Sequence, residues 1–316
     1  METVSTDLAQ PEITVVVVVD YDDDERSGWH ELRGTLEALA GQAGIDRAEV
    51  FLVDTPERLA EIPTALPVFR SFRTIGARGS SYAMSNAGVR EARAPLVALL
   101  DGDCRPATGW LEAGIDAMRR HPNAGVVSGR TRYGDESLMA RAMALLARSY
   151  VEGDASGRTI HISNNNAVFR RDVFLRHPLP EECCVFASNL QSEPMSQAGV
   201  EMMFEPRMEV THAYDGWPTE REMRRALGYG VIATRLASNH TRYARLFRLG
   251  LLSIPIAIGG RIVNSCRLAL QNARAYEVSW FELPAVAVLA LAACTMEAPG
   301  MLRAIRGQPP ADSSYR

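Results

Sequence analysis

Residues 13–19 read ITVVVVV, a short β-branched run without regular polar alternation, as expected of a central parallel strand covered by helices on both faces. An acidic loop follows, and then a helical pattern through Leu32, Leu36 and Leu39. The short-strand signal returns in Val50-Phe51-Leu52-Val53, ending at Asp54, and in Leu96-Val97-Ala98-Leu99-Leu100, ending at Asp101. Between them lie a short run after Pro67, a Gly/Ser stretch and a helical segment over about residues 80–93. Strands alternating with helices predict an α/β fold with a doubly wound, mostly parallel sheet.

The pattern changes near residue 247. Residues 249–260 and 283–296 are apolar, each shorter than the roughly 20 residues of a spanning helix, and Arg261, Arg267, Arg274, Arg303 and Arg306 flank them. Two readings stand: buried helices that pack on the preceding domain, or interfacial or re-entrant membrane helices. The expected organisation is a disordered stretch over residues 1–12, an α/β domain over 13–218, a helical, partly apolar region over 219–307 and a tail over 308–316.

Charge sharpens that division. The net charge is −4, but residues 219–316 hold 13 Arg against 6 Asp plus Glu, a balance of +7, which leaves −11 for the part before. The acidic part argues against nucleic acid, and the basic, apolar part suits an anionic membrane surface. All 34 basic residues are arginine. The five cysteines form no CxxC and no disulfide framework, and the polar start METVSTDLAQPE lacks the features of a secretory signal. Both point to the cytoplasm, with attachment, peripheral or re-entrant, at the inner face of the plasma membrane.

In doubly wound sheets ligands sit beyond the carboxyl ends of the strands. Asp20, Asp54 and the Asp101-Gly102-Asp103 turn all follow apolar runs directly. An aspartate there also caps helices and forms turns. The turn in LLDGDCRP, residues 99–106, delivers two carboxylates one residue apart, with Gly102 relieving a tight turn. Oxygen ligands at this spacing suit Mg2+ or Mn2+ bridging protein and diphosphate.

The surroundings of this turn resemble family 2 of the inverting, A-type-fold glycosyltransferases over about residues 13–212. Five features carry the resemblance, in order: Asp54 after the second strand, Asn86-Ala87-Gly88 on a helix, the Asp101/Asp103 pair, the segment SNNNAVFRR at 163–171, and Phe204-Glu205-Pro206 followed by Val210-Thr211-His212. The resemblance implies a nucleoside-diphosphate sugar as donor, with Asp54, Asn86, Asp101 and Asp103 as nucleotide-binding residues, to which Asp20 is added by its place at a strand end. It further implies that Asp54 meets the base, that Asp101 lies near ribose and metal, and that Asp103 and His212 ligate Mn2+ or Mg2+. Asn165 and Asn166 are candidates for the acceptor cleft, and consecutive asparagines equally satisfy an irregular strand. Trp217 is a candidate sugar-stacking residue, and packing of the following helix is the competing role.

Two departures stand out. Ser85 precedes Asn86 where the family usually has Arg, and counting back from Gly199 to the usual catalytic base lands on Ser188. A serine hydroxyl is too weak a base at neutral pH to deprotonate an acceptor. Glu181, Glu182 and Glu193 are the nearest carboxylates, with Glu182 favoured because Pro194 restricts the backbone of Glu193. The expected activity is therefore metal-dependent transfer of a sugar to a hydroxyl of a glycan, lipid-linked or small-molecule acceptor. A non-catalytic nucleotide-sugar-binding homologue is the first alternative. A nucleotidyltransferase is the second, disfavoured because no Gly-rich basic loop follows the first strand.

Overall fold

A computed structural model of the chain describes residues 10–19, 28–63, 66–181, 187–214, 216–237 and 244–310. The chain divides into two compact units, one of Met1–Arg132, Val151–Glu181 and Ser188–Ala213, the other of Tyr133–Tyr150, Glu182–Ala187 and Tyr214–Arg316. The helical unit thus begins at Tyr214 and also takes in residues 133–150, which the pattern of the sequence placed with the α/β domain.

The elements run in the order β1 (Ile13–Val18), α1 (Gly28–Ala40), β2 (Ala48–Asp54), α2 (Pro56–Ala60), β3 (Phe72–Gly76), α3 (Ser81–Glu91) and β4 (Leu96–Asp101). After these come β5 (Cys104–Pro106), α4 (Trp110–Arg120), β6 (Ala124–Tyr133), α5 (Leu138–Arg148), β7 (Asn166–Arg170), α6 (Arg171–Arg176), α7 (Ala187–Gln197) and β8 (Glu201–His212). The strands form one eight-stranded sheet in the order β3-β2-β1-β4-β7-β6-β8-β5. The strands β1, β2, β3 and β4 pair in parallel, whereas β7 runs antiparallel to both β4 and β6, and β5 antiparallel to β8.

The uninterrupted run of β1 feeds two cores because successive side chains point to opposite faces. Val15 and Val17 pack with Leu32, Leu36 and Leu39 of α1 and with Trp110 of α4. Val16 and Val18 pack on the other face with Met84 and Val89 of α3. The contact with α3 is so close that a Cβ on Gly88 would lie 2.5 Å from a methyl of Val16. The glycine of the Asn-Ala-Gly segment is therefore demanded by helix-on-sheet packing.

The parallel and antiparallel halves meet at Asn166, opposite Leu100 of β4 in the register and fully buried. Its amide oxygen accepts from the indole N–H of Trp110 at 2.8 Å, and its amide nitrogen donates to the carbonyls of Arg130 at 2.9 Å and Met208 at 3.0 Å. Room for it exists because Gly129 has no side chain: a Cβ there would sit 1.9 Å from the Met208 carbonyl and 2.5 Å from the Asn166 amide nitrogen.

The second unit continues with α8 (Gly216–Ala237), α9 (Ala244–Phe247), α10 (Ser253–Asn272), α11 (Leu283–Thr295) and α12 (Ala298–Ile305). The α8 and α12 helices cross at glycines. A Cβ on Gly228 would lie 2.1 Å from the Glu297 carbonyl, and one on Gly300 1.9 Å from that of Arg225. Glu297, fully buried between α11 and α12, accepts from Arg261 at 2.7 Å and lies 3.6 Å from Arg224, which also pairs with Glu220 at 2.5 Å. Two Glu and two Arg balance the charge, as burial requires. On the other side α5 packs against α10 and α11 through Leu145, Ala269, Tyr276 and Val286. Glu282 pairs with Arg141 at 2.9 Å and accepts from the Ser279 N–H at 2.8 Å.

Two outcomes follow for stability. Asn166→Ala strands the buried Trp110 N–H, at a cost of about 1–3 kcal/mol, and removes one partner from each of two carbonyls, so the chemical-denaturation midpoint should fall by the equivalent of about 1–3 kcal/mol or more. Hydrogen bonds from Ser279 and then Arg141 hold the Glu282 carboxyl at about 2, below its ordinary 4.5. A depressed carboxyl stabilises the fold fully above 4.5, and that contribution disappears as pH falls through about 2. In urea titrations between those limits, Glu282→Gln should show a shallower acid loss of stability than the wild type.

Candidate functional site

The end of β4 and the turn after it build the site. Asp101 lies half-buried opposite Val18 of β1, and the Gly102 N–H donates to the Val18 carbonyl at 2.8 Å. Gly102 has no left-handed backbone. A Cβ there would lie 3.3 Å from the Val18 carbonyl and 3.4 Å from Leu32, so glycine serves close approach, a correction to the tight-turn expectation. Asp103 follows, only 8% exposed.

The β5–β8 pairing sets Cys104 opposite His212 and brings the Asp103 Oδ2 to 3.0 Å from the His212 Nε2. The His212 Nδ1 lies 2.5 Å from the carbonyl of Ala213. A carbonyl only accepts, so Nδ1 carries a hydrogen, an assignment from the network, and a neutral ring then turns its Nε2 lone pair to the carboxylate. Two electron-rich atoms at that separation need positive charge between them, a second proton or a metal ion. The other oxygen of Asp103, Oδ1, is buried with no hydrogen-bond partner. The carboxylate with its orphan oxygen fits Mn2+ or Mg2+, which prefer oxygen donors, and the imidazole nitrogen is a donor that suits the softer Mn2+ better than Mg2+. Cys104 is a third donor within 4.8 Å of these atoms. Its sulfur packs in the core beside Leu100, Trp110 and Met208 and accepts from Asn165 at 3.4 Å, and hard cations have little use for it.

Asp54 ends β2 at the same edge of the sheet as Asp101, with β1 between them. It is 1% exposed, accepts from the Thr55 N–H at 2.7 Å and lies 3.0 Å from the Arg58 guanidinium. Burial pushes its carboxyl above the ordinary range, against the pull of Thr55 and Arg58.

Asn86 is a joint between α3 and the 177–181 segment. Its amide nitrogen donates to the Leu179 carbonyl at 2.8 Å and to the Glu181 carboxylate at 3.0 Å, and its oxygen accepts from the Leu179 N–H at 3.0 Å. Both ends of the amide are thus engaged within the protein. Glu181 also pairs with Arg90 at 2.8 Å, while its carbonyl accepts from Ser80 at 2.7 Å. Its side chain therefore runs along α3 from Ser80 towards Arg90, and hydrogen bonds from Asn86 and then Arg90 hold its carboxyl below the usual range. Glu193 is half-buried in α7, and Ser188 is half-buried in its first turn. Gly199 has φ 75°, the left-handed stop expected just after this helix.

Asn165 is 4% exposed and links Thr131, Ser163 and Cys104. Asn166 has no exposed surface, and its amide is spent on Trp110, Arg130 and Met208. Its acceptor role is corrected to that of a sheet joint, since no polar atom of its side chain is left for an acceptor. Trp217 is half-buried at the start of α8 in the second unit. Asp20 and Glu182 lie outside the described residues.

Sequence reasoning missed the charged layer at the end of β6. Arg130 grips Glu152 through two hydrogen bonds of 2.8 and 3.0 Å, and Arg132 pairs with Glu209 at 2.8 Å. The available signal was Gly-Arg-Thr-Arg, residues 129–132, where an apolar strand turns polar at its carboxyl end.

Among solved structures, a mannosyltransferase, PcManGT from Pyrobaculum calidifontis in complex with GDP-Man and Mn2+, shares the fold at a TM-score of 0.55 and 17% identity. The similarity covers 95% of this chain and 88% of that one. S. aureus TarS 1-349 in complex with UDP-GlcNAc matches at a TM-score of 0.46 and 13% identity, over 93% of this chain and 92% of that one. No curated protein matches in sequence. The profile of glycosyl transferase family 2 matches residues 9–177, more than half of the chain. With its mostly parallel α/β sheet of the A-type glycosyltransferase fold, the chain belongs to glycosyl transferase family 2.

Proposed function

We propose that the first unit transfers a sugar from a nucleoside diphosphate to an acceptor hydroxyl with inversion, using Mn2+ or Mg2+ at Asp103 and His212. The observation that carries this reading is the 3.0 Å contact between the Asp103 carboxylate and the His212 ring, beside a buried carboxylate oxygen that has no other partner. The GDP-Man and Mn2+ in the mannosyltransferase complex of the same fold support the donor class and the ion. When bound, the ion neutralises charge that grows on the departing diphosphate.

The chain's own groups divide the remaining work. The Ala213 carbonyl orients the His212 ring, and Asp101 faces the donor from the end of β4. Asp54 accepts an N–H of the base once the Arg58 side chain that covers it swings aside. The acceptor oxygen attacks the anomeric carbon as the bond to the diphosphate breaks, and a carboxylate takes the hydroxyl proton. A single displacement of this kind inverts the centre. Glu181 is poorly suited as that base, being held below the usual range and directed towards Arg90. Glu182 and Glu193 remain, and the acceptor is a glycan, lipid-linked or small-molecule hydroxyl met at an anionic membrane surface.

Calorimetric titration of UDP and GDP tests the ion site. With Mn2+ present one of them should bind, EDTA should abolish the heat, and Asp103→Asn or His212→Ala should weaken binding about 100-fold or more, since even indirect partners of a metal are worth 10–100-fold. Metal-independent binding, or normal binding by the Asp103 variant, overturns the role given to the ion. For the base, Glu182→Gln or Glu193→Gln should lower turnover about 10²- to 10⁴-fold with donor affinity unchanged. Activity that appears only in Ser188→Asp, on a wild type that binds donor without transferring it, replaces this reading with that of a binding homologue.

A further inference from the structure

Among the described residues, one side of the α10–α11 hairpin of the helical unit is left uncovered. The inner side packs on α5 through Leu145, Ala269, Tyr276 and Val286. On the outer side Ile256, Val263 and Leu270 of α10 are 53%, 70% and 69% exposed, at spacings of seven residues that keep them on one helix face. On α11, which packs beside α10, Val288 and Leu291 are likewise exposed, 66% and 52%. In the turn between the helices Trp280 and Phe281 are 82% and 68% exposed and meet edge to face. At the start of α10 Leu249, Leu251 and Leu252 are all more than half exposed. An apolar face of this extent on a water-soluble surface marks an interaction site.

We propose that this face lies in the plane of an anionic lipid bilayer, seated at the boundary between headgroups and acyl chains, without crossing the membrane. Charge selects the occupant. Residues 244–310 hold seven Arg and three Glu; Glu297 is buried, Glu282 is paired with Arg141, and Glu277 is exposed beside the aromatic turn. Arg267 and Arg274 are exposed near the aromatic turn and Arg245 near the other end, an arrangement that meets anionic headgroups around an apolar stripe. A second copy is the poorer occupant, because a two-fold contact would set these arginines against their own kind with little acid to answer them. Trp280 has the amphipathic ring that favours the interfacial layer.

The geometry also separates lying on the membrane from crossing it. Residues Leu283–Ile305 are long and apolar enough to span a bilayer by length and composition alone. They are broken between α11 and α12 at Glu297, which is tied to Arg261 and Arg224. Beyond the break, Gly300 presses against the backbone of Arg225 on α8, a turn that also carries Arg221, Glu222 and Arg224. That side of the segment is committed to a charged helix and cannot face lipid. The inference extends the transfer reading by favouring a lipid-borne acceptor, and it rests on that reading only there.

The test floats the full chain with vesicles of phosphatidylcholine alone or mixed with phosphatidylglycerol. Binding should require the anionic lipid and fall with salt. Arg267→Gln with Arg274→Gln should weaken it about fivefold per arginine. Trp280→Ala with Phe281→Ala should weaken it about tenfold for each ring withdrawn. Because both rings are exposed, that double variant should keep the wild-type melting temperature and nucleotide binding. Equal binding to neutral vesicles, or full binding by both double variants, overturns the proposal. So does a dimer in lipid-free solution that the Trp280 variant dissociates, which assigns the face to a second copy. A protease-protected Leu283–Ile305 fragment that resists alkaline extraction overturns the in-plane arrangement. Lost vesicle binding with intact Mn2+-dependent nucleotide binding sinks only the docking, and the reverse result sinks only the transfer reading.

Discussion

One buried amide holds the two halves of the sheet together. Asn166 lies beside the end of β4 and binds α4, β6 and β8 at once through Trp110, Arg130 and Met208. The indole N–H would otherwise be buried without this partner, at a cost that matters to a marginally stable fold. It ties β7 to both β6 and β8, and the end of β8 carries His212. The contact between Asp103 and His212, 109 positions apart in the chain, is made where β8 pairs with β5. Gly129 is part of the same device, since any side chain there would occupy the space of the amide.

The site illustrates how burial and pairing sort carboxylates that look alike on paper. Asp103 keeps an unpartnered oxygen and faces a ring nitrogen. Asp54 is buried behind Arg58, and desolvation raises its carboxyl. Glu181 is drawn the other way by Asn86 and Arg90, which stabilise its charge and weaken it as a base. Glu205, within one of the family-like segments, is engaged by Arg207 and Arg120 and serves the β8 strand.

The helical unit works under a different constraint. Its glycine crossing of α8 and α12 and its balanced Glu220, Arg224, Arg261 and Glu297 group use up the polar side of an otherwise apolar segment. What remains on the outer side of α10 and α11 is hydrocarbon framed by arginine.

The α/β class, the strands β1, β2 and β4, the helix α3 and the aspartates at the strand ends were legible in the chain, because each rests on local periodicity and on turn chemistry within a few residues. The ordered segments around Asp54, Asn86, Asp101, Asp103 and His212 likewise marked the family that the profile over residues 9–177 shows. Tertiary structure alone decided the rest. The asparagines of 164–166 look equivalent in sequence, and only packing made Asn166 a fully buried joint. Gly102 and Gly88 read as turn and helix residues, and only the approach of Val18 and Val16 shows that a side chain would be tight at the first and excluded at the second. Residues 133–150 joined the helical unit through contacts with α10 and α11 that no local pattern encodes. Periodicity reports which face of an element is apolar, whereas the partner of that face depends on residues more than a hundred positions away.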